Sequence, residues 1–257
     1  MIEAHIRRAG YGPHSLLENI SFVLPSGTLN VLTGPNGSGK TTLLKILAGI
    51  HADYAGEVKI NRKLLSDMSD EESGRHVAVV FSRPAVTDLR VREILATGRF
   101  PYLNRWNRLK ESDRRALERV SQLLDLKKFW DRPFSSLSDG EKQRVMIGRA
   151  LVQDTPVLLL DEPEAHLDIG HRAELLMLLK RIASEGKTVL FSSHYLDLFF
   201  DVADRLLVIR NRTLWSGSPD EAIRSGIPAE VFGNDLLEFD SACRSFVLKK
   251  SGRMPGK

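Results

Sequence analysis

Cysteine is almost absent from this sequence: Cys243 is the only one, which excludes an intrachain disulfide and any cysteine cluster for a metal. Long hydrophobic runs are absent too. The longest, Val77–Phe81 and Leu175–Leu179, have five residues each, against the roughly 18–20 that a membrane-crossing helix needs. Near the start stand Glu3, His5, Arg7 and Arg8, where a secretory signal would place an apolar stretch. Neither a membrane-spanning nor a secreted chain is expected. Nor is there an excess of one charge along the chain. The net +4 (37 − 33) is supplied in full by Lys249, Lys250, Arg253 and Lys257, so the preceding 248 residues balance to zero. That basic Gly/Pro-containing tail reads as a solvated end, and composition gives no argument for a nucleic-acid partner.

What is present suffices for a core. The chain has 257 residues, 42% hydrophobic and 27% charged, which suits one large domain or two small ones and excludes a disordered polymer. Strand-like segments precede residue 35, ending in Asn30–Thr33, and Thr41–Ala48 reads as a helix closed by Gly49. Further strands are expected at Val77–Phe81, Val157–Leu160, Thr188–Ser192 and Leu206–Ile209. Helical spacing marks Arg90–Thr97, Glu111–Leu124, Glu141–Leu151 and Arg172–Ser184. Strands alternating with helices predict an α/β parallel sheet, and the helix-only stretch between about 90 and 151 reads as an insertion into it.

The segment Gly34-Pro35-Asn36-Gly37-Ser38-Gly39-Lys40-Thr41 matches the phosphate-loop pattern G-x-x-x-x-G-K-[ST], with a strand before it and a helix, opening at Thr41-Thr42, behind it. Glycines let successive backbone N–H groups turn inward as an anion nest, and the helix N-terminus adds positive potential. Lys40 can reach the β- and γ-phosphates, and the Thr41 hydroxyl can bind Mg²⁺.

The strand Val157–Leu160 runs into Asp161-Glu162. The carboxyl end of a strand is where an open α/β sheet binds its ligand. Asp161 is expected to hold Mg²⁺, and Glu162 to orient or deprotonate an attacking water. His194, just beyond Thr188–Ser192, can hydrogen-bond a γ-phosphate and that water.

Leu137-Ser138-Asp139-Gly140-Glu141-Lys142-Gln143-Arg144 ends 17 residues before Asp161 (161 − 144). With the phosphate loop, Asp161-Glu162, the loop Ala165-His166-Leu167-Asp168 and His194, this order resembles the ATP-binding cassette family over about residues 3–230. Ser138-x-x-Glu141 is also a capping box, so the same residues are expected to start a helix. The resemblance implies a phosphate-loop (RecA-like) α/β core with an N-terminal antiparallel β subdomain and an inserted α-helical subdomain. Its expected bounds are 1–232 for the ATPase domain, with the core at about 1–84 and 155–232 and the helical part at about 85–154. A C-terminal extension would occupy 233–257, either packed through Phe239, Phe246 and Val247 or largely mobile. The resemblance further implies ATP and Mg²⁺ as ligands and a head-to-tail homodimer when ATP is bound. Lys40 and Thr41 of one copy and Ser138 and Gly140 of the other would hold each nucleotide. Asp168 would communicate between the two sites, and Tyr11 would stack on adenine.

Two departures from the family pattern stand out. Ser82 occupies the place of the usual glutamine after Val77–Phe81, and no glutamine occurs between Arg83 and Ser121. Serine is too short to bridge a metal site and a mobile loop, so Ser82 is expected at the metal site beside Thr41 and Asp161, with Mg²⁺ ligation leaning more on Thr41, Asp161 and water. Asp139 and Glu141 replace the commoner glycine and glutamine of the signature. Asp139 is expected to point away from the phosphate or to pair with Lys142 or Arg144, and Glu141 to serve the capping box.

The segment Gly98-Arg99-Phe100-Pro101-Tyr102, together with Leu167-Asp168-Ile169-Gly170-His171, looks like the importer branch that handles iron–siderophore, haem and cobalamin complexes. That resemblance implies a peripheral ATPase on the cytoplasmic face of the cell membrane. Its partners would be separate transmembrane permease subunits and a substrate-binding protein. Rival readings are an importer of another substrate, a cassette ATPase outside transport, and a module that holds nucleotide without hydrolysing it.

Overall fold

In the computed structural model, which describes residues 1–51, 53–81, 87–103, 108–165, 167–195 and 198–249, the chain begins as a long hairpin. β1 (Ile2–Tyr11) pairs antiparallel with β2 (His14–Leu24). Buried Ile2, Ala4 and Ile6, like Ile20, Phe22 and Leu24, alternate with more exposed residues, as in a sheet with one wet face. β3 (Leu29–Thr33) is buried throughout and passes through the phosphate loop into α1 (Lys40–Leu47). β4 (Tyr54–Ile60) and β5 (Lys63–Leu64) complete a first sheet in the order β2-β1-β4-β5. α2 (Asp70–His76) starts where Ser69 Oγ accepts the Glu72 N–H, and leads into β6 (Val77–Val80).

Helices α3 (Val91–Thr97), α4 (Glu111–Leu123) and α5 (Asp139–Val152) follow in succession. The chain then alternates through β7 (Val157–Asp161), α6 (Ile169–Ser184), β8 (Thr188–Ser192), the single turn α7 (Phe199–Val202), β9 (Arg205–Arg210) and β10 (Thr213–Gly217). The second sheet runs β10-β9-β3-β8-β7-β6, parallel throughout except for β10. Short helices α8 (Pro219–Arg224) and α9 (Ile227–Phe232) precede a hairpin of β11 (Leu237–Asp240) and β12 (Ser245–Leu248). Among the described residues no helix is long and apolar enough to cross a membrane.

The parallel strands are apolar on both faces because two cores flank them. Val31, Leu158, Leu160, Val189 and Phe191 face a core shared with α3–α6. Leu32, Val157, Leu159, Leu190 and Leu207 face a second core built with β1, β2, β4 and α1. Such strands read as continuous hydrophobic runs rather than alternating ones.

The Gly98–Tyr102 segment has a structural role in this packing. A Cβ at Gly98 would lie 2.3 Å from the Arg149 carbonyl oxygen, so α3 and α5 meet only because glycine stands there. Arg99 Nε donates to Asp113 Oδ1 at 2.8 Å and its guanidinium to the Val152 carbonyl at 3.0 Å, tying the start of α4 to the end of α5. Towards the C-terminal end, the Phe239 ring lies 5.4 Å from that of Phe200, tilted, and 5.2 Å from that of Phe246, edge-on. Phe246 also meets Phe232 at 6.3 Å, so the hairpin is packed on α7 and α9. The tail residues Lys250, Arg253 and Lys257 lie outside the described residues.

Candidate functional site

The phosphate loop is shaped by backbone that glycine tolerates best. Gly34 has φ 147° and Gly39 φ 103°. A Cβ at Gly34 would stand 2.5 Å from the Ile209 carbonyl, and one at Gly39 would press on Leu17 at 3.3 Å. Lys40, the first residue of α1, is buried, and its Nζ donates to the carbonyls of Gly34 (2.9 Å) and Pro35 (3.1 Å). Burial lowers the pKa of this ammonium, while the charges of Glu162 and Asp161 pull it back up. Ser38 Oγ is buried in the loop without a hydrogen-bond partner. A buried hydroxyl left unpaired in a nest of inward-turned backbone is what a phosphate oxygen would satisfy.

Parallel pairing brings the carboxylates to the same end of the sheet. Asp161 at the end of β7 is in register with Ser192 at the end of β8. Ser192 Oγ donates to Asp161 Oδ1 at 2.7 Å and accepts the Glu162 N–H at 2.9 Å. Thr41 Oγ1 donates to Asp161 Oδ2 at 2.9 Å, joining the loop helix to β7. These two oxygens are a hydroxyl and a carboxylate facing a phosphate nest, the donor set Mg²⁺ uses when nucleotide supplies its other ligands. Among the described residues no group of three or more His, Cys, Asp and Glu gathers into a protein-only metal cage. Ser82, expected near the metal, lies outside the described residues, as does His166.

Glu162 has φ 49°, a left-handed conformation that non-glycine residues adopt at some cost and that concentrates at functional sites. The turn carries its carboxylate to His194, with Nε2 and Oε1 only 2.5 Å apart. A carboxylate can only accept, so Nε2 is the donor. The structure therefore brings Lys40, Thr41, Asp161, Glu162 and His194 around one point.

Ser138, Gly140 and Asp168 form a separate group. They line a cleft of about 770 Å³ between the start of α5 and α6, to which Lys40, Thr41, Asp161 and Glu162 do not contribute. Ser138 caps α5 reciprocally: its N–H donates to Glu141 Oε2 (2.8 Å) and its Oγ accepts from Glu141 N (3.3 Å). Asp139 is exposed and pairs with Lys142 at 3.4 Å, one of the two partners expected for it. Asp168 caps α6, accepting from His171 N (2.9 Å) and facing His171 Nδ1 (2.8 Å). Tyr11, half exposed, ends β1 with its ring 4.6 Å from that of His51. Its hairpin continues into Leu16 and Leu17, which pack at Gly39 of the phosphate loop. Sequence reasoning missed Ser192 and His51. The strand assignment at Thr188–Ser192 could have found Ser192, had its register against β7 been legible.

Strand β3, its glycine-rich loop and α1 in a parallel sheet define a phosphate-loop nucleoside-triphosphatase domain. Within that class the chain belongs to the ABC transporter family, whose model matches residues 17–165. It is 34% identical over 231 residues to the iron(3+)-hydroxamate import ATP-binding protein FhuC of Bacillus subtilis (strain 168), covering 89% of this chain and 83% of the relative. It is also 34% identical to the achromobactin transport ATP-binding protein CbrD of Dickeya dadantii (strain 3937), covering 91% and 86%. The solved structure of the ATP-binding subunit of an ABC transporter superposes with a TM-score of 0.77 at 27% identity, covering 88% of this chain and 92% of the other. A nucleotide-free ATP-binding cassette shares the fold at a TM-score of 0.79 and 23% identity, covering 91% and 96%. The chain is accordingly a nucleotide-binding ATPase of this family.

Proposed function

We propose that the chain is the ATP-hydrolysing subunit of an importer for iron complexes, converting ATP and water to ADP and phosphate and driving separate membrane subunits. The iron assignment is supported by relatives named for iron(3+)-hydroxamate import, siderophore transport and haemin import that align along most of the chain. The observation that carries the chemistry is the Glu162–His194 contact at 2.5 Å beside the phosphate loop. Glu162 orients the attacking water in line with the γ-phosphoryl group and takes its proton. His194 holds the γ-phosphate and that water in place. Lys40, already at the loop mouth, turns its ammonium from the loop carbonyls to the β- and γ-phosphate oxygens as charge spreads there. Mg²⁺, held by Thr41 and Asp161, would neutralise charge on the same oxygens. The unpaired Ser38 hydroxyl supports nucleotide as the occupant.

Two copies are required on this reading. Ser138 and Gly140 stand at the N-terminus of α5 on a cleft that Lys40 does not line, which supports their serving the nucleotide of an opposing copy. Asp168 lies on the same cleft and couples the two sites. Tyr11 is the adenine platform. The helical block at about 85–154 is proposed as a subdomain inserted in the core, with the membrane subunits and a substrate-binding protein completing the system at the cytoplasmic face. The test is phosphate release by the purified protein and by Glu162→Gln. The variant should bind ATP as the wild type does, lose at least about a hundredfold in turnover and accumulate as a dimer with ATP. Wild-type turnover in Glu162→Gln removes Glu162 from this role. Recovery of a multi-spanning permease with the tagged protein from its native membranes checks the importer assignment.

A further inference from the structure

Glu164 is a buried carboxylate that the reaction derived above does not use. It is 3% exposed and lies two residues beyond Glu162, on the loop leaving β7. Its Oε1 accepts a hydrogen bond from Ser193 Oγ, and Ser193 is fully buried immediately before His194. The main chain of Ser193 is fastened to β3, because its N–H donates to the Leu32 carbonyl at 3.0 Å and its carbonyl accepts from Thr33 Oγ1 at 3.0 Å. On the other side of His194, the Tyr195 N–H donates to Ser193 Oγ at 2.9 Å. A hydroxyl has one proton. Given to Glu164, it leaves a lone pair aimed at the Tyr195 N–H. Without that acceptor, the nearest alternative among the described residues for the proton is the Tyr195 carbonyl, 3.2 Å away, which changes the lone-pair direction offered to the Tyr195 N–H. Among the described residues the loops after β7 and β8 are therefore joined by Glu162–His194 and by Glu164–Ser193.

We propose that Glu164 is a positioning residue for ATP hydrolysis: by orienting the Ser193 hydroxyl it ties the Tyr195 main chain, beyond His194, to a Ser193 that β3 already holds, and so keeps the imidazole within hydrogen-bond distance of Glu162. The proposal rests on the reading of Glu162 and His194 as the pair that orients water.

The test is steady-state ATP hydrolysis by the full-length protein and its variants Glu164→Ala, Glu164→Gln, Ser193→Ala, His194→Ala and Glu162→Gln. ATP affinity and thermal unfolding are measured alongside. Glu164→Ala should lower kcat about tenfold or more while KM for ATP stays within about twofold. Ser193→Ala should do the same. Glu164→Gln, whose amide oxygen can accept the same hydroxyl, should retain most of the activity. Combined with His194→Ala, Glu164→Ala should cost nothing further, which a general structural weakening would not reproduce. A kcat within twofold of wild type in Glu164→Ala, or a loss that adds in full to that of His194→Ala, overturns the proposal. Should Glu164→Ala fail to fold, Ser193→Ala decides, and wild-type kcat there overturns it. If His194→Ala and Glu162→Gln themselves keep wild-type turnover, the catalytic reading fails and takes the proposal with it. Turnover lost in those two but kept in Glu164→Ala sinks the proposal alone.

Discussion

A free carboxylate at Glu141 would repel a nearby phosphate, but this one is committed to the helix it starts. The Ser138 N–H is the main reason its pKa lies below the ordinary 4.5, with burial working against it and the Ser138 hydroxyl adding to it. A carboxyl whose folded pKa is depressed contributes stability that is complete above its unfolded pKa and is lost as pH falls through the folded value. Gln at this position keeps the length and the acceptor but does not titrate. The melting-temperature gap between wild type and Glu141→Gln should therefore be present at neutral pH and close on acidification below that ordinary value. A gap independent of pH would assign the effect to hydrogen bonding alone. At this scale the sequence was most legible where chemistry is contiguous: the spacing of Gly34–Thr41 or Asp161-Glu162 states its own geometry. Ser192 and Glu164 were illegible because each takes its meaning from a distant segment, β7 for one and Ser193, just past β8, for the other.

Between elements, Arg99 shows how a residue that resembles a family marker can be explained by packing. Its side chain is 11% exposed and that of its partner Asp113 3% exposed. Removing one member of such a pair leaves the other charge buried, at about 3–5 kcal/mol. Arg99→Ala should lower the melting temperature by on the order of 10 °C, with little change in KM for ATP. A drop below about 2 °C would show that α4 and α5 do not depend on the pair. Helix and parallel-strand positions followed from hydrophobic spacing, with ends moved by a residue or a few; Arg90, for example, caps α3 instead of opening it. The hairpins were harder. Their turns at Asn61-Arg62 (φ 50° and 69°) and Asn211-Arg212 (φ 45° and 64°) place arginine in the left-handed region, without the Asn-Gly signal that marks such turns in a sequence. The C-terminal hairpin was undecided because only the tertiary partners Phe200 and Phe232 choose between packing and mobility.

At the scale of the whole molecule, the division of the candidate residues into two groups predicts complementation. Lys40→Ala leaves Ser138 and Gly140 intact, whereas Gly140→Arg leaves the phosphate loop intact. Each variant alone should be nearly inactive. Mixed in equal amounts, half the pairs would carry one sound composite site, so up to about a quarter of wild-type phosphate release should return. Activity that stays at the level of the separate variants would argue against a shared site. The two-sided core also governs how such a chain can vary in length. Val157 and Leu159 face one core, Leu158 and Leu160 the other. One residue inserted in β7 would exchange the two sets and carry Asp161 about 3.3 Å past Ser192. The strands are thus fixed-length rulers, and evolution or an engineer can lengthen this molecule only in the segments that join them.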